Sequence, residues 1–523
     1  MWITRIGHPA PMATGTPTTR TIRTTDTDRP TASYRGPAAA GAPNLTGVEG
    51  VRSTVAGDPV VLEFERYDSP DLRLATSGIV LAIHRTDDPA HPEAYWRLDL
   101  PDAVEGEQLR IPVAPPEVEG LDPEVPAELR ELVQGVLRGA DIGPVGRIRR
   151  VRTVDSLRDG RRREIAEIRR DEVQLATFGD ATTLENWTED AVTISGGPVG
   201  LLDVLAERLA QTGAAPAEAT AEAELDRLLR EAAPPPPARW KGKKGAAATG
   251  VLGYLAEHAD RLAAEDLRAR RDEEDAVHQL RVAARRMRSA LQAFAPVFDG
   301  PRAEALIEEL RWLGRALAPA RDLEVQEELI TESLRALPPE LVLGPVQAQV
   351  TRHFARSGAE AKAAAVAALD SERYAALRGA IERFLQDPPL ASAAGSKKAG
   401  KKLLPAALKK ADKRFDKRVA AALDALAAGE DSDTAIHDAR KAGKRLRYAT
   451  ELAGTPEQAK KLKAITKALG EHQDVVVERQ LLRELGAQAY SEGENGFTFG
   501  ILYGRAQAEA ERVEAQLPQL RRG

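Results

Sequence analysis

The two halves of the chain carry different patterns of hydrophobic and polar positions. From about Pro59 to Leu229, short β-like runs such as VVLEFERY, SGIVLAIHR and AYWRLDL alternate with turn residues. From about Ala247 onward, apolar residues recur three and four positions apart in segments rich in Ala, Leu, Glu, Arg and Lys. We therefore expect an α+β multidomain protein, with an antiparallel sheet or barrel followed by an all-helical domain.

Composition refines the expected boundaries between these parts. The first segment is rich in Thr, Pro and Gly without a hydrophobic period, which predicts a disordered extension. Between the two folded parts, APPPPARWKGKKG is typical of an exposed linker. The expected segments are a disordered extension at 1–54, a β-domain at 55–232, a linker at 233–246, and a helical domain at 247–517 with halves at about 247–388 and 403–517.

The residue content excludes several kinds of chemistry. The chain has no cysteine, so thiolate catalysis, disulfides and cysteine zinc sites are excluded. No run approaches the roughly 20 apolar residues that cross a bilayer, and the N-terminus lacks the apolar core of a secretory signal. We expect a cytoplasmic protein without membrane contact. The net charge of −6 by itself argues against a phosphate binder.

A repeat changes this interpretation of the charge. AVHQLRVAARRMRSAL, beginning at Ala276, aligns without gaps with AIHDARKAGKRLRYAT, beginning at Ala435. In both copies a histidine is followed by basic residues at offsets 3, 7, 8 and 10. Offsets 0, 3, 7 and 10 lie within an arc of roughly 80° on a helix, which predicts one basic stripe per copy. The matched residues are His278, Arg281, Arg285, Arg286 and Arg288, and His437, Arg440, Lys444, Arg445 and Arg447.

Basic residues on a helix usually form a solvated face, where carboxylates at neighbouring turns relieve the repulsion. Between Ala276 and Leu291 there are four arginines and no carboxylate. An anion would supply the missing charge, and the arginine fork suits phosphate oxygens. The two histidines could instead be core residues bonded to backbone carbonyls. Their matched positions favour a place in the anion site, where an anion would stabilise their charged form.

A second matched pair follows each stripe. LRWLGRALAPARDLEV begins at Leu310 and LKAITKALGEHQDVVV begins at Leu462. Arg315 falls opposite Lys467, and both are further candidates for the anion surface. Asp322 falls opposite Asp474. The two aspartates could cap helices, pair with the stripe arginines or act directly on a ligand.

The motif H-x-x-R-x-x-x-[RK]-R-x-R, present twice and followed by LRWLGRALAPARD and LGEHQD, resembles the CHAD family, the conserved histidine α-helical domain. The resemblance covers about 247–512. It implies two four-helix bundles related by pseudo-twofold symmetry, with a basic central groove that binds inorganic polyphosphate without a cofactor. The leading hypothesis is therefore a polyphosphate-binding protein that associates with polyphosphate granules.

Residues 59–229 resemble the CYTH family of triphosphate tunnel enzymes. That resemblance implies an eight-stranded antiparallel barrel whose lumen binds triphosphate through basic residues and a divalent cation through carboxylates. The opening motif E-x-E-x-K is EFERY here, with Tyr67 in place of lysine. The family's L-R-x-R is LAIH, and its W-x-L-K-L-P is WRLDLP, with Asp99 in place of lysine. Its W-x-E-x-E-x-E is WTEDAVT, which keeps only Glu189.

These departures favour a non-catalytic barrel, because metal-assisted hydrolysis needs both carboxylates and several positive groups. The rival hypothesis is a triphosphatase acting with Mg²⁺ or Mn²⁺. Its metal ligands would be Glu63, Glu65 and Glu189, and its triphosphate-binding residues would be Arg110, Arg149 and Arg152. A third hypothesis is nucleic-acid binding. Aromatic residues total only 4%, and Tyr448 alone lies in the stripes, so base-stacking platforms are scarce.

Overall fold

The chain forms two compact units that divide between Pro235 and Pro236, inside the expected linker. The first unit is built on an antiparallel sheet and the second is helical, so the predicted α+β multidomain class is confirmed. The computed structural model describes residues 20–22, 31–88, 94–101, 108–113, 124–179, 182–198, 200–235, 238–243, 246–392, 394, 396–428 and 432–520.

The sheet unit contains long central strands and short outer ones. Its described strands are β1 Arg20–Ile22, β2 Thr31–Pro37, β3 Ser53–Ala56, β4 Val60–Asp68, β5 Val80–Thr86, β6 Ala94–Asp99, β7 Gln108–Pro112, β8 Gly143–Arg158, β9 Glu164–Thr177, β10 Leu184–Ile194 and β11 Ala215–Pro216. They pair antiparallel in the order β1-β7-β6-β5-β4-β8-β9-β10-β2-β11, and β3 pairs with β8. Among the described residues, no pairing joins β1 to β11 to close a barrel.

Helices of this unit cover part of the sheet. They are α1 Arg73–Thr76, α2 Ala127–Leu137, α3 Leu201–Ala210 and α4 Ala221–Ala232. In α4 the apolar residues Ala221, Leu225 and Leu229 recur every four positions and are fully buried against the sheet. Directly before Ala221, Thr220 caps this helix by accepting a hydrogen bond from the Ala223 amide.

The expected disorder of residues 1–54 is wrong for its described part. β2 pairs with β10 over seven residues, and Tyr34 on this strand is buried. Val48 is also buried, in the same apolar cluster as α3. The edge of β10 has unpaired backbone groups, and a strand of modest hydrophobicity can pair with them. The average composition of residues 1–54 does not reveal such a strand. The rest of this segment, apart from β1, lies outside the described residues.

The second unit consists of long helices joined by short connections. Its α-helices are α5 Ala247–Arg270, α6 Ala276–Ala293, α7 Pro301–Ala316, α8 Ala318–Arg335, α9 Val346–Asp370, α10 Glu372–Gln386, α11 Lys397–Ala428, α12 Asp433–Leu452, α13 Pro456–Ser491 and α14 Phe497–Leu520. Two 3₁₀ turns lie at Ala295–Val297 and Pro339–Leu341. Within the described part of the chain, no helix is long and apolar enough to cross a membrane.

The repeat is visible in the helices. α6 and α12 carry the two stripes and pack against each other, and α8 likewise contacts α13. The second copy has one continuous helix, α13, where the first has α7 and α8. The break follows from Pro319, which lacks an amide proton and stands in the first turn of α8, whereas Glu471 occupies the matching position of α13.

Candidate anion-binding groove

A groove of about 740 Å³ lies between the two repeats and is lined by α6, α8, α12 and α13. It receives the first three members of each stripe from matching positions. These residues are His278, Arg281, Arg285, His437, Arg440 and Lys444. The stripes predicted from the sequence therefore supply the cationic part of this groove, with equal contributions from both copies.

Helix geometry explains why only these stripe members meet. Offsets 0, 3 and 7 lie within an arc of roughly 60°, and offset 8 points about 80° to the other side of offset 0. Offset 10 is close to offset 3 in angle but lies about 4.5 Å further along the helix axis than offset 7. The residues directly before four of the six groove positions anchor the helices: Leu280, Ala284, Ile436 and Ala439 are fully buried. The groove residues therefore stand at the edge of the core, with their polar ends in the opening.

The two aspartates of the second motif pair with the stripe arginines. Arg281 donates to the carbonyl oxygen of Ala318 at 3.1 Å and to Asp322 at 3.2 Å. In the other copy, Arg440 lies 3.9 Å from Asp474. Of the three roles that the sequence suggested for these aspartates, pairing with a stripe arginine is the one seen in both copies. Each aspartate therefore lies beside the second stripe residue of its own copy.

The two histidines are half-buried in the groove wall, and both have a pKa below the ordinary value. For His278, burial lowers the pKa first, and the charge of Arg321 lowers it further. For His437, burial is again the largest cause, and its Nδ1 shares a hydrogen bond with the side chain of Gln473. Without an anion, both imidazoles are therefore neutral near pH 7.

Lys444 is the most perturbed cation of the groove. Burial, followed by the charges of Arg440 and Arg285, lowers its pKa from 10.5 to about 7. Burial also lowers the pKa of Arg440, although Asp474 partly offsets this. Cations crowded in this way are destabilised in the folded protein until an anion enters. The groove therefore has the electrostatics of an anion site.

Sequence analysis missed two groove residues and the opposite end of the groove. Arg321 and Gln473 line the groove at matching positions. The signal was available, because each immediately precedes the matched aspartate. Further along α8 and α13, Glu332 and Glu484 also line the groove at matching positions, about 15 Å beyond the aspartates. The groove thus has a cationic end at α6 and α12 and an acidic end.

Three of the predicted arginines, including the groove residue Arg285, contact one tyrosine beside the groove. Arg286 and Arg447 each lie over the ring of Tyr448, 4.9 Å from its centre, and both pair with Glu451 at 3.0 and 3.5 Å. Arg285 donates from Nε to the Tyr448 hydroxyl at 3.3 Å. Burial would raise the pKa of this phenol, but the three arginine charges outweigh it and lower the pKa. Arg285 and Arg286 thus join α6 to α12, whereas Arg447 contacts residues of its own helix.

The remaining predicted candidates do not line the groove. Arg288 and Arg445 are partly buried, and burial together with the charge of Arg311 lowers the pKa of each. Arg315 is exposed on α7. Lys467 is exposed on α13 and lies 3.7 Å from Glu471. Of the twelve predicted anion-binding residues, six therefore line the groove and six lie outside it.

The six candidates in the sheet unit lie on two faces of the sheet. Glu63 stands opposite Arg149 on β8, and Glu65 is two positions along the same strand, so these three side chains share one face. Arg152 is three positions from Arg149 and points to the other face. There it stands opposite Asp171, which in turn stands opposite Glu189.

The strand register also assigns Arg110 to the face of Arg152 and Glu189. The expectation of one site made of Glu63, Glu65, Arg110, Arg149, Arg152 and Glu189 is therefore wrong. Sequence motifs fix which residues alternate along one strand. They do not fix which neighbouring strand positions lie beside them, and a shift of one residue moves a side chain to the other face.

The carboxylates on both faces are engaged by arginines. Glu65, which is 2% exposed, lies 2.6 Å from Arg147. Asp171, which is 1% exposed, is bound at 2.7 Å by Arg152 and lies within 4.0 Å of two further arginines. Sequence analysis missed the charged residues that accompany Arg110 and Arg152, namely Arg97, Arg150, Arg169, Asp171 and Glu222.

Comparisons with known proteins agree with the division into two units. A family model described as the CHAD domain matches residues 253–483. The chain is a CHAD-domain protein. Uncharacterized protein MT2285 of Mycobacterium tuberculosis strain CDC 1551 / Oshkosh is 31% identical over 491 residues, which cover 91% of this chain and 92% of that protein. Uncharacterized protein Rv2226 of strain ATCC 25618 / H37Rv matches to the same extent.

Solved structures also resemble each unit. The CHAD domain from the plant Ricinus communis is 24% identical, with 54% of this chain and 95% of that chain covered and a TM-score of 0.42. Among triphosphate tunnel folds, the PH1819 protein from Pyrococcus horikoshii OT3 is 16% identical. That alignment covers 38% of this chain and 99% of that chain, with a TM-score of 0.20.

Proposed function

We propose that the CHAD domain binds inorganic polyphosphate in the groove between its two repeats. The observation that carries the proposal is the crowding of seven basic side chains from both copies around one opening. They are His278, Arg281, Arg285, Arg321, His437, Arg440 and Lys444. Asp322, Asp474 and the Tyr448 hydroxyl contact Arg281, Arg440 and Arg285, and Glu324 pairs with Arg321 at 3.0 Å.

A linear polyanion fits this arrangement better than a single phosphate. Matching positions on α6 and α12 supply cations from two sides, so successive phosphates would contact both copies. The acidic end at Glu332 and Glu484 repels a polyanion and favours its entry from the cationic end. No cofactor is required for such binding. Polyphosphate granules in the cytoplasm would be the corresponding location.

We propose a non-catalytic role for the sheet unit. Divalent-cation catalysis needs carboxylates that are free to hold the ion. Glu65 and Asp171 are instead held by arginines, and Glu63 and Glu65 lie on the opposite face from Glu189. The arginines around Asp171 would suit a bound anion without hydrolysis.

The groove is tested by the double variant Arg281→Ala with Arg440→Ala. Each arginine contributes a charge-assisted contact, so we expect polyphosphate to bind at least about tenfold more weakly in calorimetric titration. The matched control is Arg302→Ala with Arg512→Ala, which removes the same charge from surface positions of the same unit. Equal affinities of the two double variants would contradict the proposal.

Two further measurements separate the alternatives. Single-stranded nucleic acid should displace polyphosphate poorly at equal phosphate concentration, and efficient displacement would favour a nucleic-acid binder. Incubation with triphosphate and Mg²⁺ or Mn²⁺ should release no phosphate. Release that is abolished by Glu63→Gln or Asp171→Asn would overturn the non-catalytic role.

A further inference from the structure

Three helices of the second repeat bring one histidine and two carboxylates together. His472 on α13 is 1% exposed, and its Nε2 lies 2.9 Å from Oε1 of Glu514 on α14. The same nitrogen lies 3.6 Å from Oδ1 of Asp433, at the start of α12. The three atoms lie within 4.8 Å of one another. These residues form a cluster outside the groove lining, although His472 directly precedes the groove residue Gln473.

The geometry of the cluster is close to that of a metal-ligand set. Bonds of about 2.1 Å around one ion place neighbouring ligand atoms roughly 3–3.5 Å apart. The two distances from Nε2 span that range. The third distance, between the oxygens of Asp433 and Glu514, would enter it if one of these partly exposed carboxylates changed its rotamer. One imidazole nitrogen with two carboxylate oxygens suits Zn²⁺ or a similar transition ion better than Mg²⁺, which prefers oxygen ligands alone.

The cluster is confined to one repeat. In the first repeat, Ala320 occupies the position of His472, and Glu274 occupies that of Asp433. Both copies build the groove, yet among their described residues only the second copy buries an imidazole between two carboxylates. Neither the repeat fold nor the groove therefore requires this histidine, and a separate role accounts for its presence.

We propose that Asp433, His472 and Glu514 bind a divalent transition-metal ion, with Zn²⁺ as the preferred ion. The ion would fasten the first turn of α12 to α13 and α14 and neutralise the paired carboxylates. Solvent would complete its coordination. The proposal does not depend on polyphosphate binding, because it concerns a different set of side chains.

The experiment uses the full chain after treatment with a chelator, titrated with ZnCl₂ in a calorimeter. We expect one equivalent of Zn²⁺ to bind at this cluster and to raise the melting midpoint, because only the folded state holds the three ligands together. His472→Ala, which copies the first repeat, and Glu514→Gln should each weaken that binding at least about tenfold. Cobalt substitution should give visible d–d bands that both variants lose.

Matched controls are His353→Ala, a half-buried histidine on α9, and Glu511→Gln, a neighbouring carboxylate on α14. Both should bind Zn²⁺ like the unaltered chain. The simpler reading is an ion pair of a protonated His472 with its two carboxylates. A chain that binds no Zn²⁺, or that binds it equally well with His472→Ala and Glu514→Gln, would establish that reading and overturn the metal site.

Discussion

Lys444 carries its charge at a position where the folded protein makes that charge costly. Its ammonium group is mostly buried and lies near Arg440 and Arg285, and the charge of Asp474 offsets this only in part. A basic group whose pKa falls from 10.5 to about 7 on folding binds fewer protons in the folded state between those values. Binding of an anionic ligand therefore explains the presence of Lys444 better than a contribution to folding stability does.

Lys444→Met should stabilise the unliganded protein and weaken polyphosphate binding. Removing the charge relieves its repulsion with two arginines. We therefore expect the free energy of unfolding of the helical unit to increase by about 1–2 kcal/mol at pH 7. Denaturant unfolding monitored by circular dichroism measures the gain, and titration measures the affinity. A variant that is less stable than the unaltered chain would show that Lys444 has a structural partner in the groove.

Polyphosphate affinity should fall as the pH rises from 7 to 9. The anion favours the charged form of Lys444, so its pKa is higher in the complex than the value of about 7 in the free protein. Above pH 7, binding then takes up a proton, and affinity falls by up to about tenfold per pH unit. Below about pH 6.5 the two groove histidines, whose pKa values are lowered by burial, add to the same trend.

Titrations in buffers of different ionisation enthalpy measure this proton uptake directly. Lys444→Met should abolish the part of the pH dependence that lies above pH 7 and leave the part that comes from His278 and His437. If the affinity is flat from pH 7 to 9, Lys444 is not in contact with the bound polymer.

At the scale of the element, the helices were more predictable than the strands. The 3.6-residue period identifies the face of α6 and α12 that carries the groove residues, and the helical angle of offset 8 explains why Arg286 leaves it. Arg288, at offset 10, shares that face but lies further along the helix, beyond the groove lining. The period does not identify the neighbouring helix. The contacts of Arg286 with Tyr448 and Glu451 depend on α12, which is distant in sequence. In the strands, alternation correctly groups Glu63 with Glu65, whereas their partners depend on the register.

Tyr448 joins α6 to α12 and should contribute strongly to the stability of the helical unit. Tyr448→Phe removes the hydroxyl that accepts from Arg285 and should cost about 1 kcal/mol. Tyr448→Ala also removes a ring that is 2% exposed and lies beneath two guanidinium groups, with an expected cost of about 3–5 kcal/mol. The shift of the denaturant midpoint at constant slope provides the measurement. Equal effects of the two variants would show that the ring makes no contribution of its own.

At the scale of the whole molecule, the sign of the net charge is a poor guide to the ligand. The chain carries −6 overall, yet α6 and α12 direct basic residues from two repeats into one opening. Excess carboxylates are found elsewhere, including the acidic end of the same groove. The chain would therefore attract a polyanion only at short range, because the overall field is repulsive and is screened within about 10 Å at moderate salt.

Salt should therefore weaken polyphosphate binding steeply, and mainly through the groove. With five arginine and lysine side chains at the cationic end, beside two neutral histidines, we expect log Kd to rise with log salt concentration at a slope of about 3–5. Removing Arg281 and Arg440 together should reduce that slope by about one to two, because fewer counterions are released. Removing the surface residues Arg302 and Arg512 should leave it unchanged. If both double variants lower the slope equally, the polymer binds to a diffuse positive surface and the groove has no special role.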